Sequence, residues 1–349
     1  MDELSKKILH LGDMAFVGYN LVKLLRQNGI DADYLAYYDK NFANSSEPWM
    51  YYFNSLPLEP FNKIKLINQS LSVIKRYDII HAHSIFAVPL LVSKKPFILH
   101  LHGTDVRQYA KELSLLGFSI KALIREANQI VVSTPDLLKE VSQYERDAIF
   151  LPNPVNFNIF RPCPPKFDLH NGVDFVIFHP SSHGITKNNH ILIKSFYNLI
   201  KDGYKAKLIM MEWGDYRLSK ELIDKLNISK YIFWQKPIPN ERMADYYNAC
   251  DLVVDQFFIG GLCLVSLEAM ACAKPTITKF DLHDILCGYP SPPPIKSCTN
   301  EREVGLQLVH FLEDNEHRIR TGRECLSWVK KAHSCENINR ILSNIYRDL

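Results

Sequence analysis

The chain has 349 residues, 41 Lys+Arg against 38 Asp+Glu, and a hydrophobic content of 47%. This length predicts two domains rather than one core, and the near-neutral charge balance excludes nucleic acid as an electrostatic partner. No apolar run approaches the ~20 residues of a membrane span. The opening MDELSKK is charged where a signal peptide needs an apolar core, and the eight cysteines form no CxxC. A cytoplasmic protein with reduced thiols is expected.

From the amino terminus, short apolar runs alternate with helical patterns. Strands are expected at Lys7–Leu11, Ala32–Tyr38, Asp78–Ala82, Pro96–His102, Gln129–Ser133 and Ala148–Leu151. Helices are expected at Gly18–Asn28, Asn62–Arg76 and Leu115–Ala127. Such alternation predicts an α/β unit with a parallel, doubly wound sheet. Gly12 and Gly18 follow the first strand but do not form the dinucleotide fingerprint. They read as a tight strand-to-helix turn, although their place at a strand's carboxyl end suits a ligand loop. Asp31-Ala-Asp33 reads as surface. The helix Asn62–Arg76 carries Lys63, Lys65, Lys75 and Arg76 with no acid. Packing on the sheet is the expected role of its apolar face; peripheral contact with anionic lipid on the cytoplasmic side of a membrane is the alternative. His81/His83 and His100/His102 each share a strand face. With no cysteine or carboxylate at ligand spacing, no metal is expected there.

Residues 151–172 hold five prolines and read as a linker. A second alternating series follows, with strands at Asp174–Pro180, Lys205–Met211, Tyr231–Trp234, Asp251–Asp255 and Thr276–Lys279. Helices are expected at Asn189–Lys201, Leu218–Leu226, Arg242–Ala249, Val265–Ala271, Glu301–Asp314 and Arg318–Trp328. The segment Asp251–Lys279, DLVVDQFFIGGLCLVSLEAMACAKPTITK, carries the most information. A buried strand leads through Gly260-Gly261 into a helix that Pro275 ends before the next strand. Unpaired N–H groups at such a helix start bind phosphate, and Glu268 can accept two hydroxyl hydrogen bonds from a ribose. The combination suits a nucleotide-sugar.

LVSLEAMACAKPTI resembles the signature of the family 4 retaining glycosyltransferases of GT-B fold, LEAMA-x-GxPVI after a loop E-G-F-G. The second glutamate of that family's Glu-x7-Glu pair falls on Glu268; the first falls at Gly260. Gly261, Leu262 and Cys263 stand where the family has Gly, Phe and Gly, and Ala273 replaces a Gly. HLHGTDVR is similar to the family's HGSD-type segment. In SSHGITKNN, Lys187 matches the lysine of the family's phosphate-holding Arg/Lys pair, Ser182 or His183 stands at the arginine, and Asn188 replaces a Gly.

The resemblance implies two Rossmann-like doubly wound domains facing across a cleft. The acceptor domain would span 1–158 and the nucleotide-sugar domain 159–328, with a closing helix over 329–349 packing back on the first. It implies metal-independent, retaining, hexosyltransferase-like transfer to an acceptor hydroxyl on a glycan, lipid or small molecule. The donor is a nucleotide-diphosphate sugar used as co-substrate, with no cofactor. His102 and Lys187 are its catalytic candidates. Gly12, Gly18, Lys187, Gly260, Gly261, Leu262, Cys263, Leu264 and Glu268 are its donor-binding candidates. Asp255 and Gln256 are polar groups placed to substitute for the carboxylate missing at Gly260. A nucleotide-sugar-binding relative without activity and a GT-B nucleotide-sugar epimerase remain alternatives.

Overall fold

The computed structural model of the protein describes residues 6–36, 47–53, 60–184 and 187–349, with the side chains of 60–66 set aside. The chain forms two compact units, Met1–Pro154 with His333–Leu349, and Val155–Ala332.

The first unit holds seven strands: β1 (Ile8–Leu11), β2 (Ala32–Ala36), β3 (Met50–Tyr52), β4 (Ile79–His83), β5 (Phe97–Leu101), β6 (Gln129–Val132) and β7 (Ile149–Phe150). They pair in parallel in the order β3-β2-β1-β4-β5-β6-β7. Strands covered on both faces read as nearly continuous apolar runs, as FILHL of β5 does. Leu9, Leu11, Ile80, Leu99 and Ile124 are among the core residues. Strand β3 carries no apolar alternation and, among the described residues, pairs with β2 alone, which explains why its sequence gives no signal. Tyr37 and Tyr38, expected in β2, lie outside the described residues. Strand order reverses between β1 and β4, so their carboxyl ends border a crevice where ligands bind in sheets of this kind.

Arg26 holds Asp31 and Asp33 at 3.4 and 3.2 Å, and Tyr77 donates to Asp33 at 2.6 Å. Of the triplet expected at the surface only Asp31 is exposed, while Asp33 is half-buried and Ala32 is buried in β2. The helix expected over Asn62–Arg76 is Pro60–Ile74, with Ser70 and Ile74 buried. The side chains of Lys63 and Lys65 lie outside the described residues. The last helix, Cys335–Arg347, buries Ile338, Leu342, Ile345 and Tyr346 on one stripe. Ser334 caps it by accepting from the Asn337 amide at 3.1 Å. Residues 329–332 instead complete the preceding helix, Asn315–Ala332, in the second unit.

The second unit holds β8 (Phe175–His179), β9 (Ala206–Met211), β10 (Ile232–Gln235), β11 (Leu252–Val254) and β12 (Thr276–Ile277). These are parallel in the order β10-β9-β8-β11-β12, reversing between β8 and β11. Phe175, Ile177, Phe196, Leu208 and Leu252 lie in its core. A helix at Leu282–Gly288 was not expected from periodicity. Its one local signal is Asp281, whose carboxylate accepts from the Asp284 amide at 3.1 Å. Among the described residues no helix is long and apolar enough to cross a membrane. None of the eight cysteines is in a disulfide.

Candidate active site

In the second unit, the reversal between β8 and β11 gathers the segments singled out in the sequence. Lys187 follows β8, the diglycine loop follows β11, and the helix Leu264–Ala271 begins after Cys263. Among the described residues no side chain caps that helix, which leaves its first amides as donors at the positive end of its dipole. Lys187 Nζ stands 3.9 Å from the Cys263 sulfur at the helix start and 3.9 Å from Asp255 Oδ1. A cation and a helix N-terminus thus converge on one point, which suits an anion.

Glu268 lies one turn into the helix and is only 8% exposed. Its two oxygens accept from Asn240 Nδ2 and the Tyr247 hydroxyl, each at 3.2 Å. Burial pushes its pKa up to about 7, against the pull of those two donors. Each carboxylate oxygen has a second lone pair, so both can still accept from a ligand hydroxyl.

Asp255 and Gln256 do not serve as substitutes for a sugar-binding carboxylate. Asp255 is fully buried and accepts from Ser181 at 2.6 Å and Ser266 at 2.8 Å, tying β8 to the helix. Gln256 clamps its own loop: its carbonyl accepts from the Phe258 and Ile259 amides at 2.6 Å, and its amide donates to the Ile259 and Lys279 carbonyls at 3.0 Å. His183, one of the two residues at the arginine position, offers no charge either. Its ring bonds Ser219 at 2.7 Å and packs against Trp234, and burial pushes its pKa down to about 3.

In the first unit, the turn after β1 needs its glycines. Gly12 has φ +80°, and a Cβ there would meet the Phe86 ring at 2.2 Å; one on Gly18 would meet the Gly12 carbonyl and His83 Nε2 at 3.1 Å. This turn is not an open phosphate cradle. Asp13 accepts from the Gly18 and Tyr19 amides at 2.9 and 3.3 Å, so the chain's own carboxylate already occupies the start of the helix Val17–Gln27. Tyr34 donates to the same group at 2.8 Å. After β5, Asp105 plays a related part, accepting from the His102, Gly103 and Val106 amides at 2.8–2.9 Å and fixing the backbone beside His102. Asp13 and Asp105 were both missed in the sequence, where each is a single acid in a loop.

His102 is half-buried. The other four imidazoles around it, His10, His81, His83 and His100, are fully buried. Two overlapping triads, His10/His81/His83 and His83/His100/His102, bring nitrogens within 4.8 Å of one another, the spacing a metal would need. Most of these nitrogens are instead paired through hydrogen bonds with one another or with Tyr346.

Two family models match the chain in succession. "Glycosyltransferase Family 4" covers residues 14–158 and "Glycosyl transferases group 1" covers 166–280. The chain belongs to the family 4, group 1 glycosyltransferases. No curated protein matches its sequence. Among solved structures, HepE of Anabaena, crystallised with UDP and glucose and with UDP-glucose, is 17% identical. That match covers 99% of this chain and 100% of HepE at a TM-score of 0.77. Sucrose-phosphate synthase of Thermosynechococcus elongatus is 15% identical over 98% of this chain and 99% of its own, at 0.74. A putative UDP-N-acetylglucosamine 2-epimerase of Listeria monocytogenes is 11% identical over 98% and 96%, at 0.64. These likenesses give the glycosyltransferase its fold, GT-B, with two parallel-sheet α/β units. In this glycosyltransferase the group 1 match includes Lys187, the diglycine loop and Glu268. The family 4 match includes Gly18 and His102 and begins just after Gly12.

Proposed function

We propose that this glycosyltransferase takes its sugar from a nucleoside-diphosphate sugar, retains the anomeric configuration and needs no metal. The observation that carries the reading is the uncapped start of the helix Leu264–Ala271 with Lys187 beside it. A diphosphate needs cationic and N–H partners, and this corner supplies both. Glu268, buried one turn further in, would take the ribose hydroxyls. HepE, of the same fold, binds UDP and UDP-glucose.

In a front-face displacement the acceptor hydroxyl attacks on the side from which the diphosphate departs. Two charges develop, on the leaving phosphate and on an oxocarbenium-like ring. Lys187 and the amides of Gly261–Leu264 would meet the first. With Gly260 in place of a carboxylate and Asp255 and Gln256 engaged in the frame, the loop backbone at Gly260–Leu262 would hold the sugar hydroxyls. His102 would contact the transferring sugar. The acceptor would be a hydroxyl of a glycan, lipid or small molecule, met by the first unit.

The test is a panel of UDP-, GDP- and ADP-sugars screened by thermal shift, followed by single-turnover assays with the best binder in EDTA. Nucleoside diphosphate should be released slowly alone, faster with acceptor, and with retained configuration in the product. Loss of turnover in EDTA, restored by magnesium or manganese, would refute metal independence. Binding without release across a broad acceptor panel would favour a nucleotide-sugar sensor.

A further inference from the structure

The five histidines of the first unit and Tyr346 of its last helix form one unbranched hydrogen-bonded line. Register places His10 beside His81 across β1 and β4, and His83 beside His100 across β4 and β5, so the rings gather on one face. From the inner end, His100 Nδ1 meets His81 Nε2 at 3.1 Å, and His81 Nδ1 meets the Tyr346 hydroxyl at 2.8 Å. That hydroxyl meets His10 Nε2 at 3.1 Å, and His10 Nδ1 meets His83 Nε2 at 3.1 Å. His83 Nδ1 then meets His102 Nε2 at 2.9 Å. Gly18 permits the approach, since a Cβ there would stand 3.1 Å from His83 Nε2.

Burial holds all five imidazoles neutral: His10 is pushed down to about 3, His102 to about 4, and the other three well below their ordinary value. A neutral imidazole has one N–H and one lone pair, and a phenol donates one proton. A line in which each interior group uses both sides can therefore be satisfied only if every proton points the same way. The inner end decides which way. Among the described residues His100 Nε2 is buried with no partner. Protons running inward would leave an N–H orphaned there; protons running outward leave a bare lone pair, which proteins tolerate better.

We propose that this line, with Tyr346 as its central link, fixes His102 in the Nδ1–H tautomer. His102 then meets a substrate oxygen as a hydrogen-bond donor and not as a base. His10, His81, His83, His100 and Tyr346 are positioning residues for it. The line cannot carry a proton away, because its inner end is sealed at His100. The catalytic use of this tautomer rests on the reading of His102 as a sugar contact; the tautomer itself does not.

The test uses full-length protein labelled with 15N-histidine, without substrate. Long-range 1H–15N correlation should show His102 protonated at Nδ1 and bare at Nε2. Tyr346→Phe removes the one O–H that passes the polarity on, and should turn His102 into a mixture of both tautomers. An Nε2–H tautomer in wild type, or stoichiometric zinc in the purified protein with the imidazole N–H signals gone, overturns the proposal. So does a single unchanged tautomer in folded Tyr346→Phe. The wild-type spectrum decides alone if that variant does not fold. His102→Ala turnover tests the sugar-contact reading separately. If that reading holds, Tyr346→Phe should lower kcat several-fold at unchanged donor KM, and Tyr346→His, which can also accept and donate, should restore part of it.

Discussion

The two switch points of this molecule begin with the same parts and finish them differently. Each has a strand, a glycine-containing turn and a helix start at the reversal of a parallel sheet. In the first unit the helix start is closed by Asp13, and the neighbouring imidazoles are neutral and bonded to one another. In the second unit the helix start has no side-chain cap among the described residues, and Lys187 stands beside it. The difference is electrostatic. An anion entering the first site would meet a carboxylate on the amides it needs; one entering the second meets amides and a cation. The sequence offers residues of both glycine turns as donor-binding candidates, and the capping residue separates them.

The largest effect should come from closing space in the first turn. Gly12→Ala adds a Cβ at φ +80° against the Phe86 ring, at 2.2 Å. It should cost about 2–4 kcal/mol by denaturant unfolding, with nucleotide affinity of the folded fraction unchanged. An equal loss of affinity would show that this turn holds the donor after all.

Glu268 comes next. Its folded pKa of about 7, against 4.5, means that the folded state favours the proton. Stability from this group is therefore full below about pH 4.5 and is lost as pH rises through 7. Gln cannot ionise, so Glu268→Gln should gain on wild type by up to about 3 kcal/mol between pH 4.5 and pH 8. Above pH 7, where the wild-type carboxylate is ionised, the same variant should bind nucleotide ten- to a hundredfold more weakly, since a charged hydrogen bond to a hydroxyl contributes about 1.5–3 kcal/mol. Flat relative stability across that range, or equal affinity by calorimetry, contradicts the assignment.

Lys187→Ala should weaken nucleoside-diphosphate binding about tenfold, roughly 1.4 kcal/mol, with a smaller loss for the nucleoside alone. Equal losses for both ligands would move Lys187 away from the phosphates. The smallest change belongs to the first unit: Asp13→Ala should cost about 0.5–2 kcal/mol of stability, as lost caps do, and leave nucleotide affinity untouched.

Much of the fold was legible because buried parallel strands announce themselves as apolar runs; β8, β9 and β11 stand within a residue or two of where their patterns put them. Strand β3 and the helix Leu282–Gly288 were not legible, one an edge strand and the other short and capped by a single Asp. The site divides in the same way. Lys187 and Glu268 stood out through motif context. The engagement of Asp255 and Gln256 depends on partners such as Ser181 and Lys279, 74 and 23 residues away, which no local pattern reveals. Tyr346 is the extreme case, 336 residues from His10 and invisible until the last helix is laid on the sheet.

The contrast between the two helix starts is tested most directly by hydrogen exchange with and without saturating nucleoside diphosphate, read by mass spectrometry across the whole chain. Peptides covering 260–268 and 187–190 should gain protection, while those covering 12–20 should exchange as in the free protein. Protection at 12–20 without change at 260–268 would contradict the account.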